Sequence, residues 1–343
     1  MIERVLIVGF GSIGKRHLRL ARDLLPKADI RILRHQVDFT VPELANGCFS
    51  TLDEALAFAP RIAVIASPAS FHMVSAQPLA EAGVHLLVEK PLAANVEGVQ
   101  ALLDSSSAHT TTVLTGYNLR FLQSLQHFRQ LLHEGAIGKV LSVRCEIGQY
   151  LPTWRPDTDY QRSVSAQRKL GGGALLELSH EIDYLRWIFG EVAWVNASLS
   201  QQSDLKIDVE DTAHLILGFA PEGGRHLIAM VNLDFIRHDT TRICTAIGEK
   251  GSLRWNGLTG AIELFEAGAE GWRELFRHQH QRDDSYLAEW QHFLKCVNNE
   301  AIPLVNGEDG LKVLHIIEAA RQASKSGSKV ALTFSPMSTK ASS

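Results

Sequence analysis

The sequence predicts an α/β chain in two parts: a parallel sheet crossed by helices, then an α+β part built on a mainly antiparallel sheet. Three observations predict this. Strand-like and helix-like stretches alternate from residue 4 to about residue 120, the grammar of βαβ units. Beyond residue 190, strands succeed one another with no helices between, which makes antiparallel pairs. The first strand also runs straight into Gly9-Phe10-Gly11-Ser12-Ile13-Gly14, a glycine turn between strand and helix.

Arg4 to Val8 is the first strand, and a helix follows from about Lys15 to Leu25. In that setting Gly9 permits the tight turn, Gly11 lets backbone approach a pyrophosphate, and Gly14 lets helix and strand pack closely. The helix start, with Ser12 and Ile13, offers unpaired N–H groups to the anion. These residues are the expected dinucleotide cradle. The second strand is Ile30 to Leu33, and a ribose-binding acid is expected at its end, about 20 residues after the glycines. Arg34-His35 stands there instead. A guanidinium grips a 2′-phosphate that an acid would repel, so NADP is favoured over NAD.

The third strand, Arg61 to Ala66, leads into Ser67-Pro68-Ala69-Ser70-Phe71-His72. Ser67 and His72 are expected near the nicotinamide half of the cofactor, although His72 reads equally well as a helix start. A helix from about Met73 to Ala82 returns to Val84–Val88, an apolar run that ends abruptly in Glu89-Lys90-Pro91. Ligands of an open parallel sheet sit outside the carboxyl ends of its strands. Pro91 restricts Lys90 to extended conformations and so aims it. A helix over about Val96 to Ser106 and a strand over Thr112–Gly116 follow, and the strand ends in Tyr117-Asn118-Leu119-Arg120-Phe121. Phe121 to Glu134 is a helix crossing into the second part.

There, Lys139 to Gln149 alternates as a strand. Leu151 to Lys169 is a long irregular loop carrying Trp154, Arg155, Asp157, Asp159 and Tyr160. A loop of this length is usually functional, and a rim over substrate is the expectation. Gly171-Gly172-Gly173 opens one continuous helix, Ala174 to Phe189. Leu175, Leu178, Ile182, Leu185 and Phe189 share its core side. Glu177, His180, Glu181 and Tyr184 share another, with Asp183 three residues beyond His180. A histidine among carboxylates has a tuned pKa and suits acid–base work on a hydroxyl, while the plain alternative is a solvated charged face. Strands are expected at about 193–200, 212–219, 226–235, 242–247, 252–255 and 261–265, helices at about 286–298 and 308–326, and a last strand at 330–332.

Composition narrows the function. The chain has 343 residues, 45% hydrophobic and 21% charged, with a formal net charge of -4. That balance gives no ground for a nucleic-acid or acidic-membrane partner. The four cysteines, Cys48, Cys145, Cys244 and Cys296, are scattered, so neither a disulfide framework nor a metal site is indicated. No signal pattern and no membrane-spanning stretch is read, and the expected location is the cytoplasm.

Four stretches in this order resemble the glucose–fructose oxidoreductase / inositol dehydrogenase (Gfo/Idh/MocA) family: Gly9 to Gly14, Glu89-Lys90-Pro91-Leu92, Gly116 to Phe121, and Gly171-Gly172-Gly173 with His180-Glu181-Ile182-Asp183. The resemblance implies an N-terminal Rossmann dinucleotide-binding domain (1–120), a C-terminal α+β domain with an open, mainly antiparallel sheet (121–334), and a flexible tail (335–343). It implies NADP or NAD, and a hydride exchanged with a hydroxyl or carbonyl of a sugar, sugar acid, nucleotide-sugar or related molecule. It places Lys90 and His180 at the reacting centre; an ordinary imidazole pKa of about 6.5 suits His180 to move the proton while Lys90 orients the hydroxyl, roles that can be exchanged. Where the family frequently has Asp four residues before the histidine, this chain has Leu176, and Glu177 takes the third place. Glu89 joins the cofactor contacts. Tyr117, Asn118, Arg120, Trp154, Arg155 and Asp183 are the expected substrate contacts, with Trp154-Arg155 fitting a sugar that bears an anionic group. A homodimer or homotetramer is implied. Two other readings keep the fold: a glycosidase using bound NAD for transient oxidation, and a non-catalytic cofactor-bound regulator. A pure binder needs neither Lys90 nor His180.

Overall fold

The computed structural model describes residues 2–34, 40–155, 158–221 and 226–333. His35, Asp157 and the tail from 335 lie outside them. The first part runs β1 (Arg4–Val8), α1 (Ser12–Leu24), β2 (Asp29–Leu33), β3 (Gly47–Phe49), α2 (Leu52–Ala57), β4 (Ile62–Ile65), α3 (His72–Glu81), β5 (His85–Glu89), α4 (Val99–Ala108) and β6 (Val113–Gly116). Its six strands are parallel in the order β3-β2-β1-β4-β5-β6. Helices cover both faces, which is why β4 and β5 are buried at every position and apolar apart from His85 and Glu89. Chain order reverses between β1 and β4, and ligands of open parallel sheets bind beyond the strand ends at such a reversal.

The sequence reading did not foresee β3 and α2. β3 is a three-residue, half-buried edge strand. α2 is short but well started, with a reciprocal capping box between Thr51 and Glu54.

After α5 (Gln123–His133) the second part contains β7 (Val140–Gly148), α6 (Ala174–Glu177), α7 (His180–Phe189), β8 (Val192–Ser200), β9 (Thr212–Phe219), β10 (Ile228–Asp234), β11 (Thr241–Gly248), β12 (Gly251–Asn256), β13 (Ala261–Glu266), β14 (Arg273–Arg277), α8 (Asp284–Val297), α9 (Gly307–Ser326) and β15 (Val330–Ala331). Nine strands form one sheet in the order β14-β13-β12-β11-β7-β10-β9-β8-β15. Every neighbouring pair is antiparallel except β7 with β10. β14 was also unforeseen, since its exposed Arg-Glu content hides an edge strand.

Two features position the site. The helix expected from 174 to 189 is broken at Leu178–Ser179, where ψ values of 22° and -8° interrupt the ladder. Glu181 N–H turns to Leu178 O, so the Glu177 carbonyl is freed from the helix. The second feature is α8. It belongs to the second part by chain order, yet Trp290, Phe293 and Val297 pack into a core with Val5, Ile7, Leu18 and Ile30 of the first part. The connection from α8 to α9 does likewise, with Thr115 N–H donating to Val305 O at 3.0 Å.

The 151–170 segment is a chain of four 3₁₀ turns rather than an open loop. It packs onto the glycine triplet so tightly that a Cβ at Gly172 would lie 2.4 Å from the Val164 carbonyl oxygen. Among the described residues no helix is long and apolar enough to cross a membrane.

Candidate active site

The glycine turn supplies the first wall. Gly9 has φ +89, and a Cβ on it would lie 2.8 Å from Ala66 and Ser67 backbone atoms, so the β1 and β4 ends meet closely. A Cβ on Gly14 would lie 2.2 Å from Gly9 O. Among the described residues a Cβ on Gly11 would meet nothing within 4 Å, so they leave open space over that backbone. α1 begins there with no side-chain cap and no acid in its first turn, leaving Ser12 and Ile13 at a helix start ready for an anion. Ser67 Oγ is buried with no partner among the described residues. An uncapped helix start, open space and an orphaned hydroxyl together fit a dinucleotide's phosphates and ribose. No acid ends β2; the Arg34 guanidinium lies over the Phe10 ring, 5.3 Å from its centroid.

His72 departs from expectation. It starts α3 and is buried, with Nε2 2.8 Å from Ser67 O and Nδ1 3.2 Å from Leu92 O. Burial holds the ring below its ordinary pKa, which leaves it a single N–H for two carbonyls. The ring braces the loop after β4 against the turn after Lys90.

Glu89 is likewise a brace. Trp290 Nε1–H donates to His17 Nδ1 at 2.8 Å, so Nδ1 carries no proton and His17 Nε2–H donates to Glu89 Oε1 at 2.7 Å. Glu89 Oε2 accepts from Lys90 N–H at 3.1 Å. Burial raises the Glu89 pKa, but the His17 bond and the Lys90 charge outweigh it and hold the carboxyl below its usual range. Beside it Glu289 is buried with both oxygens unpartnered among the described residues, and burial, then the Glu89 charge, push its pKa well up.

Lys90 at the end of β5 and His180 at the start of α7 come near enough for the Lys90 charge to act on the imidazole. The Lys90–Pro91 peptide is cis. The ammonium Nζ donates at 2.8 Å to Glu177 O, the carbonyl that the helix break set free. The Ser179 hydroxyl, within the break, accepts from Tyr117 Oη at 3.2 Å, and the Tyr117 ring stands edge-on to the His180 ring at 5.6 Å. His180 Nδ1 is sealed from solvent without a partner among the described residues. Burial first, then the charges of Lys90 and Arg242, push its pKa well below the ordinary imidazole value, so the ring is neutral.

Glu177 does not complete a carboxylate–histidine pair. Its Oε2 accepts from Ser165 Oγ at 3.2 Å, because the break turns α6 away from His180. Four of the expected substrate contacts have protein partners. Tyr117, Asn118, Arg120 and Asp183 are all buried. Asn118 donates to Ser285 Oγ at 2.8 Å. Arg120 grips Asp183 with two bonds of 2.9 and 2.6 Å, a bidentate lock between the β6 end and α7. Trp154 is anchored too: its indole donates to Gln149 O at 3.0 Å and its ring stands edge-on to Phe235. Arg155 is exposed.

The sequence reading missed His17, Ser179, Arg242 and the role of Glu181. Glu181 is fully buried and accepts from Arg242 Nε at 2.8 Å. A charge at Arg242 on the inward face of β11, where Cys244 and Ala246 are apolar, was the available signal.

The family model described as the oxidoreductase family's NAD-binding Rossmann fold matches residues 3–117, and that of its C-terminal alpha/beta domain matches residues 129–332. The myo-inositol 2-dehydrogenase of Thermotoga maritima is 30% identical over 268 residues, 76% of this chain and 76% of that protein. The levoglucosan dehydrogenase of Pseudarthrobacter phenanthrenivorans is 33% identical over 210 residues, 57% of this chain and 53% of that protein, so the match spans only about half of that relative. The WlbA dehydrogenase from Bordetella pertussis, solved in complex with NADH and UDP-GlcNAcA, superposes with a TM-score of 0.79 at 21% identity, covering 98% of this chain and 100% of that one, a likeness of fold. With an uncapped glycine turn after β1, a parallel sheet reversing beside it and both family models matched across 3–332, the chain belongs to the Gfo/Idh/MocA oxidoreductase family.

Proposed function

We propose that the cleft moves a hydride between a nicotinamide dinucleotide on the glycine turn and a hydroxyl or carbonyl carbon of a sugar or sugar derivative. The observation that carries this is the Lys90 ammonium, directly after β5 of the sheet that carries the dinucleotide cradle, fixed at 2.8 Å on the carbonyl of Glu177, three residues before His180. A bound nicotinamide supplies the hydride acceptor. When the alcohol carbon gives up its hydride, the hydroxyl proton has to leave, and neutral His180 is the group able to take it. The Lys90 ammonium, fixed by Glu177 O, holds the hydroxyl oxygen and stabilises alkoxide charge. The relatives named above, dehydrogenases of inositol and levoglucosan, support the substrate class.

NADP is favoured within this reading, because Arg34 rather than an acid ends β2. A cytoplasmic homodimer or homotetramer goes with it, and the outward Ile216 and Met230 of the second sheet offer apolar surface for a second copy.

The test is Lys90→Met and His180→Ala, checked for folding and NADP(H) binding, then assayed with sugars across pH. Each is expected to lose roughly 10²–10⁴ in kcat, with cofactor affinity within a few-fold. Near-normal turnover in both variants would remove this site from consideration.

A further inference from the structure

Arg242 is a charged side chain in an otherwise apolar row. Along β11 the residues facing α7 are Arg242, Cys244 and Ala246, and the last two are buried. Arg242 comes where that row reaches the cleft. Its side chain is held from two sides. Nε donates to Glu181 Oε1 at 2.8 Å. Gly257, just past β12, leaves it room, since a Cβ there would lie 2.7 Å from Arg242 Cδ and Cγ. The guanidinium is therefore fixed through Nε. Its Nη1 and Nη2 meet no protein acceptor among the described residues, and the side chain keeps 18% of its exposure.

Unpartnered polar atoms gather in the same place. Nδ1 of His180, Nδ1 of His280 and Oε2 of Glu181 are buried without partners among the described residues. Glu181 gives Arg242 Nε its Oε1 alone. Around His180 the cations Lys90 and Arg242 stand against Glu181, an excess of one positive charge, while Asp284 acts on His280.

We propose that the free fork of Arg242 binds a carboxylate on the substrate, so that this cleft selects acidic sugars over their neutral counterparts. The inference rests on the oxidoreductase reading and names the substrate class of that same site. Two parallel N–H donors match the two oxygens of a carboxylate, and the one surplus positive charge matches its single negative charge. The same ligand offsets a cation that depresses His180. Burial, Lys90 and Arg242 together hold that ring's pKa well down, and an anion on Arg242 raises its capacity to take the hydroxyl proton. Lys90 at the β5 end, Arg242 on β11 and Glu181 on α7 are the charged groups facing it. A carboxylate-bearing substrate thus improves the base that acts on it.

The test uses the full chain and two pairs of probes, D-glucuronate with D-glucose and D-galacturonate with D-galactose. Each is measured by calorimetric binding to the NADH- or NADPH-loaded protein and by oxidation with NAD and NADP. Glucose 6-phosphate is the dianionic comparison. The parent is expected to prefer the uronate of a pair by about tenfold or more, the scale of one charge-assisted contact. Arg242→Gln collapses that preference by raising the Kd and KM of the uronate, and Arg242→Lys restores part of it. Arg242→Gln leaves Glu181 buried and unpaired, so the double variant Arg242→Gln/Glu181→Gln is measured beside it. Equal or tighter binding of the neutral sugar by the parent overturns the proposal, as does a preference unchanged in both Gln variants. Selective phosphate binding assigns Arg242 to a different anion and overturns it too. Binding of uronates without any turnover upholds the anion site and defeats the oxidoreductase reading, whereas turnover without uronate preference does the reverse.

Discussion

On the cofactor wall of the cleft the chain presents backbone: Gly9, Gly11 and Gly14 shape a turn, and uncapped N–H groups of α1 face open space. On the substrate wall it presents side chains, each held by a partner: Arg242 by Glu181, Lys90 by the Glu177 carbonyl, the Ser179 hydroxyl by Tyr117. A wall of backbone is fixed by the absence of side chains, so any addition damages it. A wall of charged side chains is fixed by pairing, so removing one member leaves the other stranded. The first tolerates changes of charge and fails on volume; the second tolerates little change of charge.

The largest expected effect breaks the cofactor wall on volume alone. In Gly14→Ala the new methyl group meets Gly9 O, and two backbones have to separate. A loss of about 3 kcal/mol or more in unfolding free energy is expected, measured by urea denaturation. Gly11→Ala is the contrast, with open space above it: stability stays within about 0.5 kcal/mol while NADP(H) affinity falls. Similar stability loss in both variants would show that the turn is not built by close approach.

A smaller effect is expected from Arg34, the cation that follows β2. Arg34→Ala is expected to reduce the preference for NADP(H) over NAD(H) by about tenfold, the scale of one charge-assisted contact. Fluorescence titration with both cofactors measures it, and equal affinities in the parent would end the NADP reading.

The smallest concerns Glu289, beneath the cofactor wall and unpaired among the described residues. Its folded-state pKa is raised, so its proton is kept in the fold while the unfolded chain releases it above about pH 4.5. Stability is therefore full below that pH and is lost as pH rises through the folded value, at about 1.4 kcal/mol per unit of pH within that window. Glu289→Gln does not titrate. Its melting temperature is expected to climb relative to the parent between pH 5 and pH 8, and a constant difference would mean that Glu289 finds a partner for its charge.

What the sequence made legible follows the same division. The cradle could be read because its requirements are local: a strand, three glycines and a helix start within fourteen residues of the N-terminus. Lys90 stood out because an apolar strand ends on it. His180 could be located, but its environment could not. Spacing pointed to Glu177 as its partner, and only tertiary bonds from Tyr117 and Lys90 show why the helix breaks before it. Arg120 and Asp183 read as substrate contacts because buried ion pairs and exposed charges look alike in sequence. Trp290 and His17 are 273 positions apart, Arg242 and Glu181 61, and no local pattern links either pair.

The position of α8 bears on how such a chain can be recombined. Trp290 donates to His17, and Phe293 and Val297 line the first part's core, so the nucleotide-binding half is assembled from two segments of the chain. A crossover placed near residue 120, the boundary suggested by strand order, would hand the front half a foreign α8. The hydrogen-bonded line from Trp290 through His17 to Glu89, next to Lys90, would then come from two parents. A chimera that exchanges substrate preference while keeping the cofactor half intact needs two crossovers, one after α5 and one before α8.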